Sequence, residues 1–217
     1  FFSCLGSGAE VSTSQPAPGA LTDCWERLLE DYDQVVYIPM SAGLSGGYQT
    51  AVMLAGDYDG RVLVADTRRI SVTQRQAALD GASLARQGKT GAEIREYLER
   101  DGGNSDIFIA VNTLDLLKKS GRVTAAGAAV ATVLNLKPVL QVQGEKLDAF
   151  AKARGMARAE DIMLKAVRAD LDGRFRGRPV HVETAYSGDL ASAQAWRDRV
   201  PQEFPGYEVA LRRLPIS

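Results

Sequence analysis

The stretch VVYIPMSAGLSGG occupies residues 35–47 and is followed by YQTAVMLA at residues 48–55. Its first six residues form an apolar run rich in β-branched and aromatic side chains, which predicts a buried strand. Pro39 has no N–H to donate, so it predicts the end of that strand or a sheet edge. Ser41–Gly47 then predicts a glycine-rich turn that opens a helix. Strand, turn and helix in this order are typical of an α/β unit.

The same alternation extends on both sides of this stretch. Helical periodicity appears over 20–31, 71–87 and 90–100, and further apolar strands are predicted at 61–66 and 107–111. Strands that alternate with helices predict a parallel sheet. We therefore expect an N-terminal α/β domain over residues 1–115, carrying the SAGLSGG turn.

The second half has a different order of elements. After predicted helices at 114–119 and 125–134, the segments 138–142 and 146–150 flank Gln143-Gly144 and predict a β-hairpin. A helix at 157–170, a strand at 179–185, a helix at 190–203 and a strand at 208–214 follow. The order β-β-α-β-α-β predicts an α+β domain over residues 116–217.

The composition excludes several classes of protein. With 26 Lys plus Arg against 27 Asp plus Glu, the net charge is −1, so the chain lacks the basic footprint of a nucleic-acid-binding protein. No apolar run approaches 18 residues, which argues against a membrane span. Two cysteines make no disulfide framework, and Cys24 on the first helix predicts a buried free thiol in a reducing cytoplasm.

The SAGLSGG turn is the strongest local indication of a ligand site. Glycines allow close backbone approach, and amides at a helix start favour an anion or a carboxylate, with Ser45 adding a hydroxyl. A tight turn with a capping serine explains the same residues about equally well. The turn also matches G-x-S-x-G, so a serine hydrolase with Ser45 as nucleophile is an alternative. A serine hydrolase also needs a base. The only histidine, His181, is predicted to lie in the middle of a strand and to have a structural role.

Other polar features are weaker. Residues 83–90 lack the first glycine of a phosphate-binding loop, because Ser83 stands there, and the segment follows a helix. The sequence contains no cluster with metal-ligand spacing, so no metal is expected. Ser12-Thr13-Ser14-Gln15 carries three hydroxyls that turn and cap chemistry would explain. Arg122 and Arg154 each adjoin a glycine and by themselves predict solvated surface side chains.

Taken together, four stretches resemble the DegV family, the bacterial fatty-acid-binding proteins of the EDD fold. They are, in the family's order, STSQPAPG (12–19), SAGLSGGYQTA (41–51), LLKKSGRVTAAGA (116–128) and LNLKPVLQVQGEKLDAFAKARG (134–155). The later stretches VHVETAYSGD (180–189) and YEVALRRLPIS (207–217) also fit. Each motif alone is weak, whereas their joint order and spacing are specific. The resemblance covers nearly the whole chain.

The resemblance implies a two-domain protein that holds one long-chain fatty acid between its domains and has no cofactor. The carboxyl group would be held by Thr13 and Ser14 of the Thr-Ser-Gln loop and by Ser45 with the Gly46 amide. A separate ATP-binding kinase subunit would phosphorylate that carboxylate to an acyl phosphate for phospholipid synthesis, so the chain itself would not be an enzyme. Arg122 and Arg154 map onto positions where the family's arginines are expected to contact the phosphate or the kinase subunit.

The resemblance also leaves points open. Family members begin with a strand that carries Asp-Ser-Thr and end with a His-x-Gly-Pro-Gly segment, so we expect both natural ends to be missing here. Gly47 stands where many members have Thr, and Ser120 where many have Gly. Acyl length, unsaturation, oligomeric state, transient membrane-surface contact and the kinase partner's identity are not determined. A regulatory lipid sensor is a third interpretation of the function.

Overall fold

The structure is a computed structural model that describes residues 12–125, 136–142, 146–187 and 190–213. Its first half runs α1 (Pro18–Asp31), β1 (Val35–Tyr37), α2 (Gly47–Ala55), a 3-10 turn (Gly56–Tyr58), β2 (Val62–Val64), α3 (Ser71–Arg86) and α4 (Gly91–Asp101). Its second half runs β3 (Ile107–Ala110), α5 (Asp115–Ser120), β4 (Leu136–Val142), β5 (Leu147–Arg154), α6 (Met156–Asp172), β6 (Val182–Tyr186), α7 (Leu190–Glu203) and β7 (Val209–Arg213).

The first sheet is the parallel pair that the sequence predicted. β1 and β2 pair in parallel, with Val35 opposite Val62. Strand β1 stops two residues before Pro39, as expected for a residue that cannot donate to a ladder. Helix α1 packs Trp25 against this pair, where its ring meets Tyr37 edge-on at 5.5 Å between centroids. Cys24 on the same helix is a half-buried free thiol, more exposed than predicted.

Strand β3 does not belong to the parallel layer, so that expectation from the sequence was wrong. β3 pairs antiparallel with β4, with Ile107 opposite Val142, and β4 pairs antiparallel with β5 in the predicted hairpin. The sequence of an apolar strand does not specify its partner strand, because the same β-branched residues suit both parallel and antiparallel pairing. The boundary between residues 115 and 116 stays a prediction.

The remaining second-half elements follow the predicted order. β6 and β7 pair in parallel across helix α7, with Val182 opposite Val209. Helix α6 packs on the β3-β4-β5 sheet through a cluster that includes Val139 and Ala159, both fully buried. The helix predicted over 125–134 and the Gln143-Gly144 turn lie outside the described residues, apart from Ala125. Within the described ranges, no helix is long and apolar enough to cross a membrane.

A second apolar cluster lies on the opposite face of this sheet and joins the two halves of the chain. Ile107 and Ile109 of β3 point into it, whereas Ala110 packs on the α6 side. Its fully or nearly fully buried members are Leu44, Leu114, Leu140, Val142 and Leu147. Leu44 comes from the SAGLSGG turn, so this turn is packed against the second half of the chain.

Candidate functional site

The SAGLSGG turn is held by its own backbone and by the loop after β2. The N–H groups of Leu44 and Ser45 both donate to the Ser41 carbonyl, at 3.0 and 3.1 Å. The Ser41 N–H donates to the Arg69 carbonyl at 3.0 Å. Both loops follow the carboxyl ends of the parallel strands β1 and β2, which is where ligands bind in open α/β sheets.

Ser45 lies two residues before the start of helix α2, and its hydroxyl can still donate a hydrogen bond. Its Oγ accepts a hydrogen bond from the Gly47 N–H at 3.2 Å, and the side chain is half-buried. Among the described residues, this hydroxyl donates to no acceptor, and the exposed Gly46 N–H has no partner. The first turn of α2 contains no acidic side chain of its own, and the nearby carboxylate of Asp66 accepts a hydrogen bond from the Ala42 N–H of the SAGLSGG turn at 3.5 Å. The arrangement can bind a carboxylate or another small anion.

The Ser12–Gln15 segment lies beside this turn. Gln15 Oε1 accepts a hydrogen bond from the Thr50 hydroxyl on helix α2 at 3.0 Å. Thr13 and Ser14 are exposed, and the described residues show no hydrogen bond between them and Ser45. The structure therefore brings the predicted segment to the turn through Gln15, a residue to which the sequence analysis assigned no role.

Arg122 reaches the turn from the second half of the chain. Its Nε donates to the Leu44 carbonyl at 3.2 Å, and its Nη1 donates to the Ser120 carbonyl at 2.7 Å. The side chain is half-buried, whereas the sequence by itself predicted a solvated arginine. Arg122 thus contacts Leu44, the residue before Ser45, although 77 positions separate Arg122 from Ser45 in the sequence.

Arg154 is placed differently. It ends strand β5 opposite Leu136, and its side chain is exposed. Within the described ranges it forms no hydrogen bond or ion pair with the SAGLSGG turn. The structure thus gathers Ser45, Gly46, Arg122 and the segment with Thr13 and Ser14 at one place, and does not connect Arg154 with them.

The serine-hydrolase alternative finds no support in the geometry. Among the described residues, no histidine, aspartate or glutamate forms a hydrogen bond with Ser45 Oγ, whose one described partner is the Gly47 N–H. His181 was predicted to be mid-strand, which was wrong: it precedes strand β6 and is exposed. A serine needs an adjacent base to become a nucleophile, and the described residues place no such base within hydrogen-bonding distance of Ser45 Oγ.

A separate groove lies between helices α3 and α4 on one side and α6 with β6 on the other. Its volume is about 510 Å³, and its lining includes Tyr97, Phe108 and His181. Of the described residues that line it, none is among the six predicted for ligand or partner binding. The groove is therefore distinct from the SAGLSGG site.

One acidic side chain of that groove has an unusual protonation equilibrium. Burial raises the pKa of Asp106 to about 6, although the hydrogen bond from Gln141 and the positive charge of Arg174 oppose the rise. Asp106 Oδ2 accepts hydrogen bonds at 2.7 Å from Gln141 Nε2 and at 2.8 Å from Arg174 Nη2. The described residues contain no group of three or more His, Cys, Asp or Glu side chains that could hold a metal ion.

Comparison with known proteins agrees with this architecture. Residues 3–216 match a family model described as "Uncharacterised protein, DegV family". A DegV domain-containing protein of Deinococcus radiodurans is 35% identical over 157 residues, which are 72% of this chain and 56% of that protein. One from Streptomyces coelicolor is 32% identical over 197 residues, covering 90% of this chain and 69% of the relative. The chain thus spans only part of these relatives.

Solved structures show the same fold. A DegV family protein of Thermus thermophilus, reported for its fatty acid binding, superposes with a TM-score of 0.85 at 34% identity and covers 98% of this chain and 76% of its own. A fatty acid binding DegV family protein of Streptococcus agalactiae superposes with a TM-score of 0.83 at 22% identity. The superposition covers 98% of this chain and 75% of the Streptococcus agalactiae chain. These superpositions confirm the predicted α/β fold class of the DegV type.

Proposed function

Because the chain belongs to the DegV family, as its sequence stretches indicated, we propose that it binds one long-chain fatty acid. The Thermus thermophilus relative, which is 34% identical over nearly the whole chain, is reported to bind fatty acid. That similarity supports the ligand class, and the SAGLSGG turn supports the place of its carboxyl group.

The observation that carries this proposal is the pair of unused donors at the start of helix α2. The Ser45 hydroxyl and the Gly46 N–H have no described acceptor, and they lie at the positive end of the helix dipole. A carboxylate placed there would accept both hydrogen bonds, with Thr13 and Ser14 of the adjacent segment as further donors. Each bond avoids the cost of leaving a desolvated oxygen unpaired.

The acyl chain would supply most of the binding free energy. Burial contributes about 0.8 kcal/mol per methylene, so a C16 chain offers on the order of 10 kcal/mol before association costs. Leu44, which lies in the same turn as the Ser45 and Gly46 donors, packs into the apolar cluster with Leu114 and Leu140. A carboxylate at Ser45 would therefore stand at the edge of an apolar region, which suits an amphiphilic ligand.

We further propose that the bound carboxylate is presented to a separate kinase subunit. A carboxylate oxygen would attack the γ-phosphorus of ATP on that subunit, forming an acyl phosphate and releasing ADP, and the product would enter phospholipid synthesis. In this proposal the chain itself positions the substrate and performs no chemistry. Arg122, which lies beside Ser45, would face the incoming phosphoryl group, and Arg154 would contribute from the end of β5.

Replacing Ser45 by alanine tests the head-group assignment. We expect Ser45→Ala to weaken binding of a C16 or C18 fatty acid by about 1–3 kcal/mol, because one carboxylate oxygen loses its donor. Affinity is measured by displacement of a fluorescent fatty acid, and native mass spectrometry with lipid extraction identifies what the purified protein carries. Ser187→Ala is the matched control, since that serine is exposed and outside the turn. Equal affinities of the two variants would contradict the assignment, and a wild-type chain that binds no fatty acid would contradict the function.

Replacing Arg122 by alanine tests presentation to the kinase. We expect Arg122→Ala to lower acyl-phosphate formation about tenfold or more when a fatty acid kinase subunit and ATP are added, because a charge-assisted contact to phosphate is lost. Fatty acid affinity should change less, since among the described residues Arg122 contacts the turn at the Leu44 carbonyl and not at Ser45. Arg86→Ala is the control, because that arginine is exposed at the end of helix α3. Full turnover by Arg122→Ala would remove this residue from the mechanism.

A further inference from the structure

We infer that Gln15 is a positioning residue, which fastens the Thr13-Ser14 segment to helix α2 through its hydrogen bond with Thr50. This inference rests on the proposed fatty acid site at Ser45 and adds a residue to it. Gln15 would not touch the ligand. It would determine whether the hydroxyls of Thr13 and Ser14 stay close enough to the Ser45 turn to reach the same carboxylate.

The first observation is that the segment has a single described tether. All residues from Ser12 to Ala17 are exposed. The Ala17 carbonyl accepts from the Leu21 N–H at 3.3 Å, within the start of helix α1. Among the described residues, the one hydrogen bond from residues 12–16 to another element is that between Gln15 Oε1 and the Thr50 hydroxyl, at 3.0 Å. Within the part of the chain that the structure describes, the segment is therefore fastened at one point.

The second observation is the close approach of Gln15 to the two glycines of the turn. A Cβ on Gly46 would lie 3.5 Å from Gln15 Oε1, and a Cβ on Gly47 would lie 3.8 Å from Gln15 Cβ. The Gln15 side chain thus lies on the side of the glycine pair that a Cβ would occupy, at ordinary contact distance from those two positions. A Cβ on Gly47 would also lie 3.3 Å from Ser45 Oγ, a tight contact with the proposed ligand hydroxyl.

The backbone around Gln15 explains why one tether is enough. Pro16 and Pro18 follow it at alternate positions, and proline restricts both its own φ and the conformation of the residue before it. Gln15 and Ala17 are therefore biased toward extended conformations in the unbound chain. A segment that is already restricted loses little entropy when a single hydrogen bond holds it in place.

A double-mutant cycle tests the inference. We expect Gln15→Ala and Thr50→Val each to raise the Kd for a fluorescent C18 fatty acid roughly three- to tenfold, the range of one hydrogen bond. The double variant should be no worse than either single variant, because both remove the same bond. Thr50→Ser keeps the donor and should retain the wild-type Kd. Gln49→Ala is the matched control, since Gln49 is an exposed glutamine on the same helix. The Tm should stay within about 3 °C in all variants, because the bond is at the surface.

The outcomes separate this inference from the proposed function. A wild-type Kd in Gln15→Ala while Ser45→Ala binds weakly would overturn the positioning role and leave the fatty acid site intact. Additive effects in the double variant would also overturn it, because the two side chains would then act independently. A lower Tm with an unchanged Kd would show that the Gln15–Thr50 hydrogen bond stabilises the fold without positioning the ligand donors, and would also overturn the positioning role. A wild-type chain that binds no fatty acid would overturn the function and this inference together.

Discussion

Leu44→Ala is expected to lower the free energy of unfolding by about 2–5 kcal/mol, the range for a buried leucine whose site does not collapse. Leu44 is 7% exposed and packs in the cluster with Leu114, Leu140 and Leu147. These partners come from the second half of the chain, so the substitution opens a cavity where the two halves meet. The measurement is chemical denaturation of the wild type and the variant at the same pH, with comparison of the midpoints.

The same substitution should also weaken fatty acid binding, if the ligand's carboxyl group lies at Ser45. The Leu44 side chain packs the turn into this cluster, and Arg122 Nε donates to the Leu44 carbonyl. Leu116→Ala is the control, because Leu116 is 45% exposed on helix α5 and its truncation should cost less than about 0.5 kcal/mol. A loss below 1 kcal/mol in Leu44→Ala would mean that the turn is not anchored by this side chain.

Gly102→Ala is expected to destabilise the protein by about 2–3 kcal/mol, through overpacking against backbone. A Cβ at position 102 would lie 2.4 Å from the Thr67 carbonyl oxygen and 3.2 Å from the Glu99 carbonyl oxygen. Helix propensity alone predicts the opposite, a gain of up to about 1 kcal/mol from replacing glycine at the end of helix α4. The clash should dominate, because a backbone oxygen cannot rotate away as a side chain can.

The effect of Gly102→Ala should extend to the proposed site. Thr67 lies in the loop after β2, and two residues later the Arg69 carbonyl accepts the Ser41 N–H at the start of the SAGLSGG turn. Gly103→Ala is a close control, since a Cβ there would meet nothing within 4 Å. We expect the adjacent substitution to leave the denaturation midpoint nearly unchanged. Equal midpoints for the two variants would show that the loop moves to accommodate the methyl group.

Much of the secondary structure could be predicted because each element carries its own pattern. The helical period over 71–87 and 90–100 corresponds to α3 and α4, and Thr90 with Glu93 forms the capping box that starts α4. The hairpin of β4 and β5 was predicted from two apolar runs around Gln143-Gly144. By contrast, the layer to which β3 belongs could not be predicted, since strand residues do not specify a distant partner.

Some residues of the proposed site could likewise be predicted from the sequence, whereas others could not. Ser45 and Gly46 were found because glycines and a serine between a strand and a helix form a local pattern with a chemical meaning. Gln15 was missed because its partner, Thr50, is 35 positions away and both residues are ordinary polar ones. The sequence carries no signal for this contact, because the position of Gln15 beside two consecutive glycines follows from the tertiary structure.

The sequence by itself determined the order of helices and strands, the family and the turn that opens helix α2. These properties depend on local backbone preferences and short-range periodicity, which neighbouring residues encode. Tertiary structure alone decided that β3 joins the hairpin, that Arg122 reaches Leu44, and that Gln15 lies beside Gly46 and Gly47. Contacts of this kind depend on how separate elements pack, and packing between distant segments leaves no pattern in a single sequence.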